Sequence, residues 1–204
     1  MVFERQRKTK EPCSGCFLHL DLCICSQIKT LDLKTKLTLI VHYKELKKTT
    51  NTGRLATKSL LNSEMRVRGE IGKPSDFSDL ISDQYQCLLF YPSQDAVELN
   101  QDLIETFAKP IHLLVPDGSW RQASKVHTRH PKLNTIPRVM IKELNLATQH
   151  LRRESSKEGM STLEAIAKAM RVIEGEEVYE VLSKIYQAKL RNTLLGRGQK
   201  LEVV

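Results

Sequence analysis

Ile111-His112-Leu113-Leu114-Val115-Pro116-Asp117-Gly118-Ser119-Trp120-Arg121-Gln122-Ala123 changes character part-way along. Its first five residues are mostly apolar and end at a proline, a run too short for a helix and suited to a buried strand. Asp117-Gly118 is a turn pair, and Ser119 followed by Gln122 matches a capping box, the mark of a helix start. The pattern predicts a strand over 111–115 ended by Pro116, then a helix from Trp120 to His130 stopped by Pro131. A buried strand feeding a helix is the repeating unit of a parallel α/β sheet.

The same alternation extends to both sides. Leu37 to Tyr43, Cys87 to Tyr91 and Arg138 to Ile141 read as further strands. Helical spacing is found in 54–68 (Leu55, Leu60, Leu61, Met65), in 96–108, and near 162–173 and 176–194. The expected fold is α/β with a mostly parallel sheet. No repeat or low-complexity segment interrupts it, and residues 26–35 are the one linker-like stretch. We therefore expect a head over 1–34, with a charged and mobile start at 1–11, and a main domain over 35–204.

A length of 204 residues suits one such domain, and 40% hydrophobic with 27% charged residues is a globular composition. Thirty-two Lys and Arg against twenty-four Asp and Glu give a net charge of +8. This excess points to a polyanionic partner, nucleic acid before membrane, since no basic amphipathic helix stands out. No apolar run approaches a membrane span, and Met1 to Lys8 has no apolar stretch behind it, so neither a membrane nor a secreted protein is expected. The expected location is cytoplasmic.

Four of the five cysteines, Cys13, Cys16, Cys23 and Cys25, fall within thirteen residues. Thiolates this close read as one tetrahedral metal site, zinc first, against an iron–sulfur cluster or a redox-sensing thiol cluster. Four protein ligands leave no open position, so such a metal is structural. Cys87, alone in an apolar run, reads as a core residue.

Dinucleotide, P-loop and common hydrolase motifs are absent. Polar clusters remain at predicted strand ends, where parallel sheets bind ligands. They are His42 to Arg54, Tyr91 to Ala96, Pro116 to Ala123, and Met160 to Ala165 at the start of a late helix. Each also has an ordinary structural reading: caps at Ser119 and Ser161, turns at Asp117-Gly118 and Asn51-Thr52-Gly53, core packing for Trp120.

Taken together and in order, the strings resemble the DTW-domain family of tRNA-uridine aminocarboxypropyltransferases. The resemblance rests on Asp117-Gly118-Ser119-Trp120 with Gln122-Ala123 and Lys125, and on the cysteine head. It includes His42-x2-Glu45-x2-Lys48-x2-Asn51-Thr52-Gly53-Arg54-Leu55-Ala56 and Leu88-x2-Tyr91-Pro92. It continues through Pro131-x-Leu133, Leu151-Arg152 and Ser161 to Ala167. Serine stands for threonine at 119, Tyr43 where proline is common, and Lys48 where arginine is common.

The resemblance implies a SPOUT-related, knotted domain. The implied reaction moves the 3-amino-3-carboxypropyl group of S-adenosylmethionine to N3 of a tRNA uridine and releases methylthioadenosine. It implies catalytic roles for Asp117, Ser119 and Trp120. Donor contacts would come from Val115, Pro116, Ile136, Leu151, Ser161 and Thr162, with the helix starts at Ser119 and Ser161 facing the donor's carboxylate. Substrate contacts would come from His42, Asn51, Thr52, Arg54 and Arg121. Lys8, Lys10, Lys29, Lys34, Lys36, Lys44, Lys47 and Lys48 would follow the tRNA backbone. RNA methylation with the same donor, or an RNA-binding module without catalysis, are the alternatives.

Overall fold

The computed structural model describes residues 12–143, 151 and 159–199. Residues 1–11 with Lys8 and Lys10, and also Arg152 and Lys200, lie outside the described residues. Six strands form one parallel sheet: β1 (Lys36–His42), β2 (Ser63–Arg68), β3 (Gln86–Phe90), β4 (Val97–Glu98), β5 (Ile111–Asp117) and β6 (Arg138–Met140). Their order is β2-β1-β5-β3-β6-β4. The helices are α1 (Gly53–Ser59), α2 (Gln101–Glu105), α3 (Trp120–Ala123), α4 (Lys125–Arg129), α5 (Pro131–Asn134), α6 (Thr162–Glu174) and α7 (Glu176–Gly196). None is long and apolar enough to cross a membrane.

The central strands read as near-continuous apolar runs because both faces of the sheet are covered. Leu37, Leu39, Val41, Leu113 and Val115 point to one face and pack with Leu55 of α1, Ile166 and Met170 of α6, and Leu182 and Ile185 of α7. Ile40, Leu89 and Leu114 point to the other, against Phe77, Val126, Leu133 and Ile136. Burying each such side chain contributes about 1.5–3 kcal/mol. Gly53 permits the close approach of α1, since a Cβ there would meet Leu39 Cδ1 at 2.9 Å and Thr162 Cγ2 at 3.2 Å. Gly175 joins α6 to α7 at φ 100°, a backbone that side-chain-bearing residues rarely adopt.

The expected α/β class and parallel sheet are present, with α6 and α7 close to their expected bounds. Three local expectations are corrected. The helix expected over 54–68 stops at Ser59, and Ser63–Arg68 becomes edge strand β2. Its period-2 pattern, Glu64, Arg66 and Arg68 against Met65 and Val67, prevails over a few leucines at helical spacing, and its charges suit a sheet edge. The helix expected over 96–108 shrinks to α2, capped by Asn100, because Val97–Glu98 pair with β6 first. The strand expected to end before Pro116 runs on to Asp117, pairing with β1 up to Val41↔Asp117. The missing N–H of Pro116 breaks no ladder on its other side, where β3 pairs only as far as Leu114. The helix expected over 120–130 is present in two pieces, α3 and α4, meeting at Ser124.

The sheet order inserts β5 between β1 and β3, so the carboxyl ends of β1, β5, β3 and β6 lie side by side while the loops after them diverge. Open parallel sheets bind ligands in such a crevice.

Candidate active site and metal site

A cavity of 330 Å³ opens at this edge. Its wall takes Thr50, Asn51 and Thr52 from the loop after β1, Phe90, Tyr91 and Pro92 from the end of β3, and Val115 to Trp120 from β5 and the start of α3. Met140 ends β6 and Ile141 follows it, and Leu151, with Gly159 to Thr162 at the start of α6, closes the far side. The volume lies within the range of small-molecule pockets, roughly 300–1,000 Å³.

Asp117 is its chemical centre. The residue is 6% exposed, and its carboxylate accepts hydrogen bonds from two distant segments. Thr162 Oγ1, in the first turn of α6, donates to Oδ1 at 2.6 Å, and Asn51 Nδ2 donates to Oδ2. A second link joins the same segments, from the Leu163 N–H to Thr52 Oγ1 at 3.1 Å. Asn51, Thr52, Asp117 and Thr162, chosen from separate strings, therefore form one network. It fixes the carboxylate at the cavity wall.

Arg54 stands behind this network and does not line the cavity. Its guanidinium stacks on the Phe17 ring at 3.9 Å from the centroid. Burial pulls its pKa below the usual arginine value, and the charge of Asp117 opposes that shift.

The rim is aromatic. Trp120 is 54% exposed, which excludes a core role, and meets Tyr91 edge-to-face at 6.3 Å. Tyr91 also lies 5.5 Å from the His127 ring. Tyr91 and Met160 belong to the polar clusters expected at this edge, whereas Met140 and Ile141, in a plain apolar run, carry no such signal in the sequence.

Val115, Pro116, Leu151, Ser161 and Thr162 line the cavity, and Ser119 sits exposed at its mouth. Besides Arg54, three expected contacts do not line the cavity. Ile136 packs in the core of the opposite sheet face. Arg121 is exposed on the outer side of α3. His42 turns toward α3 and β2, where its Nδ1 lies 3.3 Å from Gln122 Nε2; burial lowers its pKa, and Arg68 adds to the effect. The loop lysine Lys48 is paired at 2.5 Å with the buried carboxylate of Glu45.

Cap bonds form at both expected helix starts. Ser161 and Glu164 exchange hydrogen bonds, at 2.9 Å from the Ser161 N–H and 3.3 Å from the Glu164 N–H. The Ser119 N–H goes to Gln122 Oε1 at 2.7 Å. The capping role of these serines is thus present in the geometry, alongside which a binding role can coexist, and it leaves Thr162 to serve Asp117.

The four head cysteines converge. Their sulfurs all lie within 4.8 Å of one another, with Cys13–Cys23 at 3.4 Å, Cys13–Cys25 at 3.6 Å and Cys16–Cys23 at 3.8 Å. One ion bound at about 2.3 Å by four thiolates places them about 3.8 Å apart, so the set fits a single tetrahedral metal. A cluster of several irons, with its thiolates on different metal atoms, needs them farther apart. Backbone N–H groups of Cys16 and Gly15 lower the Cys13 thiol to about 6, while burial pushes Cys25 up to about 12.

The head is packed, not tethered. Cys16, Leu18 and Ile24 belong to the larger core. The buried Lys189 of α7 donates to the Cys16 carbonyl at 2.6 Å, and Asn192 donates to that of Leu22 at 2.9 Å. Cys87 is a buried core residue whose thiol donates to the Leu80 carbonyl at 3.6 Å.

Comparison with known proteins agrees with this layout. Relatives named tRNA-uridine aminocarboxypropyltransferase 2 are 32% identical over 94 residues in Drosophila melanogaster (46% of this chain, 37% of the relative). In Macaca fascicularis the figure is 24% over 189 residues (89% and 63%), and in Mus musculus 23% over 184 residues (86% and 61%). The chain thus spans less than two thirds of the length of these curated relatives. No solved structure matches it. The family model described as the DTW domain matches residues 10–194, which takes in the cysteine head, the Asp117 network and both closing helices, and the chain belongs to that family.

Proposed function

We propose that this protein transfers the 3-amino-3-carboxypropyl group of S-adenosylmethionine to N3 of a uridine in tRNA. The observation that carries the reading is the buried carboxylate of Asp117, held by Asn51 and Thr162 at the wall of a pocket of ligand size in a DTW domain. The names of the relatives support the same reaction. In the reaction, uridine N3 loses its proton and attacks the propyl carbon next to sulfur; the carbon–sulfur bond breaks, its electrons stay on sulfur, and methylthioadenosine leaves.

The sulfonium is already a good leaving group, so the protein's task is alignment and proton removal. Asp117 takes the N3 proton or anchors the donor's ammonium, and Asn51 and Thr162 hold it in place for either task. Val115, Pro116 and Leu151 offer apolar wall to the adenosine. Trp120 offers a face on which an unstacked base can lie. Ser119 offers a hydroxyl at the mouth, and Thr52 ties α6 to the loop after β1. His42 and Ile136 have no contact role in this reading, and Arg54 acts through its charge beside Asp117.

The same reading assigns the head, residues 1–34, a structural zinc and the catalytic work to 35–204, within the SPOUT-related group that the resemblance implies. Close, unpaired thiols suit a reducing cytoplasm.

The test is incubation of the protein with tRNA and S-adenosylmethionine, followed by mass spectrometry of the nucleosides and the small product. Aminocarboxypropyl-uridine together with methylthioadenosine is the expected result. Methylated RNA with S-adenosylhomocysteine, or an unchanged donor, would overturn it.

A further inference from the structure

Arg68, the last residue of β2, is 4% exposed, and its Nε is buried without a hydrogen-bond partner. Its Nη1 donates to the Gln122 carbonyl at 2.9 Å, which places the guanidinium beneath the junction of α3 and α4. Buried arginines are ordinarily paired with a carboxylate. Here burial lowers the Arg68 pKa, and the like charge of Arg129 adds to the effect.

The helices above it add cations. Arg121, Lys125 and Arg129 are spaced by four, and Ser124, at φ −58° and ψ −27°, keeps the backbone helical between them. The stripe therefore lies on one face. Like charges at this spacing oppose helix formation. Arg129, Arg121 and Arg68 all lower the Lys125 pKa. Among the described residues, none of the four cations has a carboxylate within ion-pair distance. The adjacent residues of the same helix, Trp120 and Ala123, line the cavity.

We infer that Arg68, Arg121, Lys125 and Arg129 form a phosphate-binding site, separate from the cavity, that grips the backbone of the RNA whose base enters beside Trp120. The inference rests on the RNA reading of the preceding section. A phosphodiester supplies the negative charge that the stripe and the Arg68 guanidinium beneath it lack, and arginine's planar fork suits it. Base and backbone of one nucleotide would then be held on two sides of α3.

The test is the binding of unmodified tRNA as a function of KCl concentration, with donor affinity followed in parallel through the fluorescence of Trp120, the only tryptophan. Each phosphate contact contributes about 0.7–0.9 to the salt slope. Lys125→Gln/Arg129→Gln is therefore expected to flatten the slope by about 1.5 and to weaken tRNA binding about 10-fold at ~100 mM salt, with S-adenosylmethionine affinity unchanged. An unchanged slope in this surface variant overturns the site. Arg68→Lys keeps the charge and loses the fork, and it is expected to weaken RNA binding as well. A lower melting temperature with full RNA binding would overturn the role of Arg68.

The two readings fail separately. Wild-type protein that modifies tRNA while the double variant keeps the full slope removes this site and leaves the transferase reading. A slope lost in the variant, with no transfer by the wild type, keeps the site and removes the transferase reading.

Discussion

The thiolate head and the Asp117 cavity are both clusters of reactive side chains, yet they are assembled by opposite means. Cys13, Cys16, Cys23 and Cys25 span thirteen consecutive residues, and local turns bring their sulfurs within 4.8 Å. Asn51, Asp117 and Thr162 are separated by 66 and 45 residues and meet only because β1, β5 and α6 pack together. The head is closed, with every ligand position supplied by the chain; the cavity is open, with a half-exposed tryptophan at its rim. Four thiolates built locally can hold one ion and leave no room for a substrate. A site built across the sheet can fix one group rigidly and still leave room for a substrate. The two are joined by Phe17 of the head, on which Arg54 stacks beside the Asp117 network.

The largest expected effect separates them at the cavity. Asp117→Asn keeps the shape and removes the proton acceptor. It should lower transfer about 10²–10⁴-fold, read as modified nucleoside per unit time, with metal content unchanged. A fall in donor affinity alongside the rate would identify Asp117 as the anchor of the donor's ammonium, and near-normal turnover would remove it from the chemistry.

Removing the metal strikes the other region. Because Cys16 and Ile24 are part of the core, stripping the ion with a chelator should cost at least about 3 kcal/mol, or roughly 6–12 °C in Tm. A chelated protein that melts at the same temperature would show the head to be an ornament on an independently stable domain.

His112 belongs to neither region and serves as a control for both. It is buried on the opposite sheet face, 2.7 Å from Thr38 Oγ1, and burial, helped by Lys36, pushes its pKa down to about 4. The unfolded chain takes up this proton as pH falls through about 6.5, and the folded chain only near 4, so the stabilising contribution is full above 6.5 and lost between 6.5 and 4. The loss should reach up to about 3 kcal/mol and be absent in His112→Gln, measured by thermal melts across that window. An equal pH slope in the variant would assign the effect to other groups.

The smallest effect tests the open side of the cavity. Trp120→Ala should leave stability within about 0.5 kcal/mol, because the ring is half exposed. It should weaken RNA or donor binding by about 1–2 kcal/mol, roughly 5–30-fold, measured by titration with each. Unaltered affinity for both would leave the aromatic rim without a ligand.

The sequence by itself determined what depends on neighbours along the chain. The four-cysteine spacing announced a metal site, the apolar runs announced a parallel sheet, and the Ser161 capping box with helical spacing placed α6 and α7 close to where they lie. The ordered strings from Cys13 to Ala167 were enough to recognise the family. What depends on the other side of a contact was decided only by the tertiary structure. Ile136 and Val115 are equally apolar in the chain, but they lie on opposite faces of the sheet, and only Val115 reaches the cavity. Ser63–Arg68 looked helical because leucines preceded it, and pairing with β1 at the sheet edge made it a strand. Ser119 and Ser161 read both as caps and as anion sites, and the bonds to Gln122 and Glu164 show the capping role, which can coexist with the other. Arg68 carried no signal at all. Among the described residues it has no carboxylate within ion-pair distance, a consequence of the packing of β2 beneath α3 that has no local signature.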